Sequence, residues 1–132
     1  MPTYDWNIKT WGETYNWRQE GEEWSSAWGN SETQWFGTLL PRLHRFLPCE
    51  NVLEIAPGFG RWTKFLLPLT IGRYVGVDIS ESCIVHCNEK YKSDNSSFFQ
   101  NDGFSLKQVW GQKYDLIFSF DSLVHAEINI LN

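Results

Sequence analysis

Long apolar runs, clustered basic residues and a paired set of cysteines are all missing from this chain, and each absence removes a class of function. No apolar stretch approaches the roughly eighteen residues that a membrane-spanning helix needs, and the N-terminus lacks the basic and hydrophobic regions of a signal peptide. The expected setting is the cytoplasm, with no membrane partner. Residues 1–50 hold four basic and seven acidic groups and the remainder seven and nine, so the net charge of −5 is spread rather than patterned. Without a cluster of Lys and Arg to neutralise phosphates, no nucleic-acid partner is expected. Three cysteines, Cys49, Cys83 and Cys87, cannot complete a disulfide framework and suit reduced thiols. Cys83, His86 and Cys87 share one expected helix, but a fourth ligand is missing and no metal is required.

What is present in abundance is aromatic: 17% of the 132 residues, with eight tryptophans. A hydrophobic fraction of 42% and a charged fraction of 20% describe a globular chain of one domain by length. Neither repeats nor low-complexity segments are visible.

The chain is organised around Val52-Leu-Glu-Ile-Ala-Pro-Gly-Phe-Gly-Arg61. Val52, Leu53 and Ile55 suit a buried parallel strand, Pro57, Gly58 and Gly60 force a tight turn, and Trp62 to Leu67 restarts as a helix. Glycines there let backbone approach a ligand, and the helix start presents unpaired N–H groups. A second strand, Tyr74-Val-Gly-Val-Asp78, ends in a carboxylate about twenty residues on, where open α/β sheets hold a ribose diol. Asn101-Asp102-Gly103 follows a third apolar pair, and Tyr114 to Asp121 forms a fourth strand and its polar end. Four strand ends would line one crevice.

In that order the four motifs resemble those of class I S-adenosylmethionine-dependent methyltransferases, from about Val52 to Glu127. The resemblance implies a doubly wound, Rossmann-like parallel sheet of α/β class and S-adenosyl-L-methionine as cofactor. It implies that Glu54, Ala56, Gly58 and Gly60 meet the methionine end, that Asp78 with Ile79 holds the ribose, and that Asp102 with Gly103 faces the adenine. Ser119, Phe120 and Asp121 would border the methyl donor and the acceptor. Ala56 departs from the glycine common in the family, crowding the turn slightly. The wording around Leu53–Thr63 and Phe118–His125 is also similar to a bacterial subgroup regarded as small-molecule or sugar methyltransferases, which makes a small-molecule acceptor, a sugar hydroxyl for example, the expected partner. For a hydroxyl acceptor a general base is useful, and the catalytic candidates are His125 and Asp121. His125 could equally be a helix residue facing solvent, and Asp121 a helix cap.

Two rival readings remain. One is a remnant that binds the cofactor without turnover. The other is an NAD-dependent oxidoreductase, which the missing three-glycine spacing disfavours, since Ala56 and Thr63 stand where glycines are needed.

Two regions are expected, a Trp-rich helical segment over 1–47 and a partial cofactor-binding domain over 48–132. Residues 1–12 read as an irregular arm. Trp17, Trp24 and Trp28 fall near one helical face around Gly21, either packing on the sheet or covering the crevice as a lid. Ser31 with Gln34 reads as a capping box for a helix from Glu32 to Phe46, which Pro41 would kink or break. Ser80 should cap a helix from Glu81 to Tyr91 with Ile84 and Val85 buried. A short helix is expected over Phe104 to Trp110. The resemblance implies the strand order three, two, one, four, with further strands beyond the fourth. The fold would be truncated after the fourth strand, leaving Leu116 to Phe120 as an apolar edge that a second copy of the chain or a completing chain would cover.

Overall fold

The computed structural model describes residues 2–127; the last positions of the expected 48–132 region, 128–132, lie outside them. Four short strands, β1 (Val52–Ile55), β2 (Tyr74–Asp78), β3 (Ser96–Gln100) and β4 (Leu116–Phe118), form one parallel sheet in the order β3-β2-β1-β4. This is the expected Rossmann-like α/β arrangement. In the register Val52 pairs with Tyr74 and with Leu116, and Tyr74 with Ser96, so the strand ends fall along one rim.

Side chains alternate across a strand, and the two faces are covered unequally. Val52 and Tyr74 point to a face packed by Trp35, Leu39, Trp62, Leu66, Ile84, Cys87, Phe98 and Phe118. Leu53, Val75 and Val77 point to the other, where among the described residues only Val109 joins them as a buried hydrophobe. Glu54 is two residues from Val52 and therefore projects to the first face, beneath the helix that follows the turn. Ile117 on β4 is exposed, and among the described residues β4 pairs only with β1. The strand is shorter than expected, ending at Phe118.

The arm expected to be irregular over 1–12 is helical from Tyr4 onward. α1 (Tyr4–Asn7) is capped by Thr3 and runs into a π-helical stretch, Ile8–Thr14. Local periodicity is weak there; distant rings supply the stability instead, with Tyr4 stacked 4.3 Å from Phe104. A 3-10 helix, Glu22–Trp28, follows. The helix expected from Glu32 to Phe46 is an unbroken series of four pieces, α2 (Ser31–Gln34), a π-helical turn (Trp35–Leu39), α3 (Leu40–Leu43) and a 3-10 turn (His44–Phe46). Pro41 sits at the start of α3, where its missing N–H is tolerated. The cap is Asn30, whose Oδ1 accepts the Thr33 N–H at 2.7 Å, rather than Ser31, which bonds Glu22.

After the turn come α4 (Thr63–Leu66) and a 3-10 turn, Leu67–Leu69. α5 (Glu81–Lys90) is capped by Ser80 as expected, but it buries Cys83, Ile84 and Cys87 and leaves Val85 exposed. The thiols at i and i+4 fill the seam with the sheet, and Val85 falls on the opposite side. Over Phe104 to Trp110 only a 3-10 turn forms, Lys107–Val109.

Candidate functional site

Backbone geometry at the end of β1 builds the floor of the site. Ala56, Gly58 and Gly60 all have positive φ, at 59°, 57° and 89°, so the chain reverses without any side chain entering the bend. Ala56 carries the strained member of the set, as a non-glycine in the left-handed region. The Gly58 N–H donates to Asp78 Oδ2 at 3.0 Å, and the Ser80 N–H donates to Oδ1 at 2.9 Å. Asp78 thereby locks the turn to the start of α5 and is itself fixed in orientation. Burial pushes its carboxyl above the ordinary range, against the pull of the Ser80, Gly58 and Ile79 amides.

Above this floor lies a cavity of about 610 Å³, walled on its far side by the N-terminal segment. Trp17 stacks on Phe59 with centroids 4.8 Å apart and planes 3° apart, and its ring lies 3.0 Å from where a Cβ on Gly58 would be. Only glycine admits the ring at that distance. Trp11 stands 5.2 Å from the His125 ring, the Asn7 amide donates to the His125 carbonyl at 2.8 Å, and the Tyr4 N–H donates to Glu127 Oε1 at 2.8 Å. The segment therefore spans the crevice, from the third strand end to the fourth.

Of the residues expected to form the site, Ala56, Gly58, Asp78, Ile79, Gly103, Phe120, Asp121 and His125 line the cavity together. Glu54, Gly60, Asp102 and Ser119 do not. Glu54 accepts from Thr63 Oγ1 at 2.6 Å and from the Tyr74 hydroxyl inside the first face of the sheet. Burial pushes its carboxyl up to about 7. Gly60 is demanded by packing, since an added Cβ would fall 2.1 Å from the Tyr91 ring. Asp102 turns back on its own loop, accepting the Phe104 and Ser105 N–H groups at 2.9 and 2.7 Å. Ser119 shares a hydroxyl contact with Ser122.

Several lining residues carried no role in the sequence reading. Arg61 and Trp62 stood inside the glycine motif and could have been found there. Tyr4, Asn7 and Trp11 had no local signal, because their partners lie 123 and 118 residues away for the first two. Trp24 lines the cavity as the lid reading expects, while Trp28 is exposed. His86 stacks on the outer face of Phe59 at 4.0 Å, and Cys83 and Cys87 pack in the core. Burial holds both thiols in the protonated form. No group of three potential metal ligands occurs among the described residues, and no described helix is long and apolar enough to cross a membrane.

A family model described as a methyltransferase domain matches residues 52–131. No curated protein sequence matches significantly. Among solved structures, the PH0226 protein from Pyrococcus horikoshii is 27% identical, covers 93% of this chain and 52% of its own, and superposes with a TM-score of 0.61. A DhpI-SAM-HEP complex is 25% identical over 86% of this chain and 51% of its own, with a TM-score of 0.62. An S-adenosylmethionine-dependent methyltransferase from Mesorhizobium loti, 19% identical over 76% and 44%, has a TM-score of 0.57 and shares the fold. The chain spans about half the length of the structures it matches.

Proposed function

We propose, for a chain that belongs to the methyltransferase domain family, that its crevice binds S-adenosyl-L-methionine and serves methyl transfer to a small-molecule acceptor. The observation that carries this reading is Asp78, a buried carboxylate at the rim of β2, held by the glycine turn and lining the cavity. The cavity volume of about 610 Å³ falls within the range of roughly 300–1,000 Å³ usual for small-molecule sites. The indole nitrogen of Trp62 is buried behind the cavity wall without a partner. The residues present fit the group.

When bound, the cofactor supplies a methyl group already activated on a sulfonium. Asp78 accepts hydrogen bonds from ribose hydroxyls, with Ile79 beside it. Ala56 and Gly58 leave room for the amino-acid end, and Gly60 and Glu54 shape the turn from behind. Gly103 and Phe104 wall the adenine end. The rings of Trp11, Trp17 and Trp24 exclude water and offer faces to a cation or to a sugar. His125 accepts the proton of an acceptor hydroxyl on a ring nitrogen, since Asp121 has one oxygen engaged by Arg61. A sugar hydroxyl suits that aromatic wall. Orientation of the two reactants can supply roughly 7–11 kcal/mol of the barrier.

We assign the lid to residues 1–47 and the cofactor domain to 48–132, with the β4 edge completed by a second copy or another chain segment. The three unpaired cysteines suit the cytoplasm. Calorimetric titration with S-adenosylmethionine and separately with NAD tests the assignment, with binding of the former alone expected. Asp78→Ala should weaken that binding by about 1.5–3 kcal/mol, roughly 10- to 150-fold. Binding of NAD instead, or an unchanged affinity in the folded variant, would sink it.

A further inference from the structure

Three stretches far apart in sequence meet in the wall of the cavity: the glycine turn, the 3-10 helix Glu22–Trp28 of the lid, and the bend after β4. One side chain touches all three. Arg61, at the end of the turn and almost fully buried, donates from Nη1 to Ser25 Oγ at 3.2 Å and from Nη2 to Asp121 Oδ2 at 2.7 Å. Its guanidinium lies 4.7 Å from the Trp62 ring, 5.3 Å from Trp24 and 6.0 Å from Phe120, so aromatic faces from the same three stretches set its plane. Asp121 meanwhile sits at φ 61°, a left-handed conformation that aspartate tolerates and that a fixed partner holds in place.

We propose that Arg61 is the positioning residue that registers the lid and the fourth-strand bend on the cofactor turn. The proposal rests on the cofactor-binding reading of the crevice. Stability by itself does not account for the arrangement, because Asp121 is half-exposed and an ion pair open to solvent on one side adds little. Position does account for it, since a planar fork can hold two acceptors at a fixed angle and a lysine cannot. The lysine ion pairs from lid to floor, Lys64 to Glu22 and Lys90 to Glu20, are likewise substantially exposed and weakened by solvent. A ligand passing the lid must separate Ser25 from Arg61, and the bond re-forms over the bound molecule. Arg61 therefore slows entry and release alike.

The probe is S-adenosylhomocysteine, followed by stopped-flow tryptophan fluorescence on the whole chain. Wild-type binding is the control on which the cofactor reading itself stands or falls, and the proposal falls with it. Given that binding, Arg61→Ala should release the probe at least about tenfold faster, with association faster as well. Millimolar free guanidinium should restore slow release, which it would not do for a general weakening of the fold. Arg61→Lys should lie between. Ser25→Ala, which removes a single hydroxyl at the lid end, should speed release about threefold and decides the matter should Arg61→Ala not fold. Wild-type release rates in Ser25→Ala, or fast release in Arg61→Ala that guanidinium leaves unchanged, would overturn the assignment while leaving cofactor binding intact.

Discussion

The floor of the cavity and its lid are built by different forces. The floor is backbone: parallel ladders set β1 against β2, the Ala56 N–H continues the pairing to Val77 at 2.7 Å, and Val52, Tyr74 and Val77 are fully buried. The lid is side chain. Trp11, Tyr15, Trp17 and Trp24 pack on one another at centroid distances of 4.7 to 6.4 Å, and its links to the floor are rings, three cationic side chains and single hydrogen bonds. A hydrogen-bonded sheet with interlocked side chains resists displacement as a unit, whereas ring contacts can slide or separate singly. On the proposed reading, fixed binding geometry and passage of ligands are divided between two layers.

If that division holds, damage to the floor should cost folding and damage to the lid should cost only affinity. The largest effect is expected from Gly60→Ala, which forces a side chain into positive φ and against the Tyr91 ring. It should destabilise the chain by about 2–4 kcal/mol in urea unfolding, and a variant as stable as wild type would make the turn as pliable as the lid.

Next comes Glu54, whose carboxyl burial raises from 4.5 to about 7. Between those values the folded chain keeps a proton that the unfolded chain has released. The contribution is complete below pH 4.5 and disappears as pH rises through 7, a change on the order of 3 kcal/mol. Glu54→Gln keeps an oxygen for Thr63 and Tyr74 but cannot titrate. The difference in unfolding free energy between variant and wild type should therefore shift in favour of the variant as pH rises across this window; a constant difference would mean that Glu54 titrates normally.

The smallest effect belongs to the lid. Trp17→Ala should leave the unfolding midpoint close to wild type while weakening S-adenosylmethionine binding by about 0.5–1.5 kcal/mol in calorimetry. Loss of stability on the scale of Gly60→Ala would show that the lid belongs to the folding core.

Sequence reading worked well on the floor for the same reason that the floor is rigid. The turn and the carboxylate at Asp78 follow from local pattern and spacing, and the strand order from the resemblance those motifs carry, which backbone pairing then enforces. It assigned Glu54 to the cofactor because nothing local says which face of β1 the helices cover; α4 covers the face of Val52, and Glu54 goes under it with Thr63. Asp102 had the right position in the motif, but its nearest donors are in its own loop. The helical arm over 4–14 was hidden because its order comes from Phe104, His125 and Glu127 rather than from its own period.

By itself the sequence determined a parallel α/β sheet, a glycine turn and a second-strand acid, all properties of neighbours along the chain or of one strand beside the next. Only the tertiary structure decided what closes over that turn and through which group. Arg61 meets Ser25 from 36 residues before it and Asp121 from 60 after it. The direction of a side chain, and the partner it finds across such separations, depend on how whole elements pack, and no spacing within the chain encodes that.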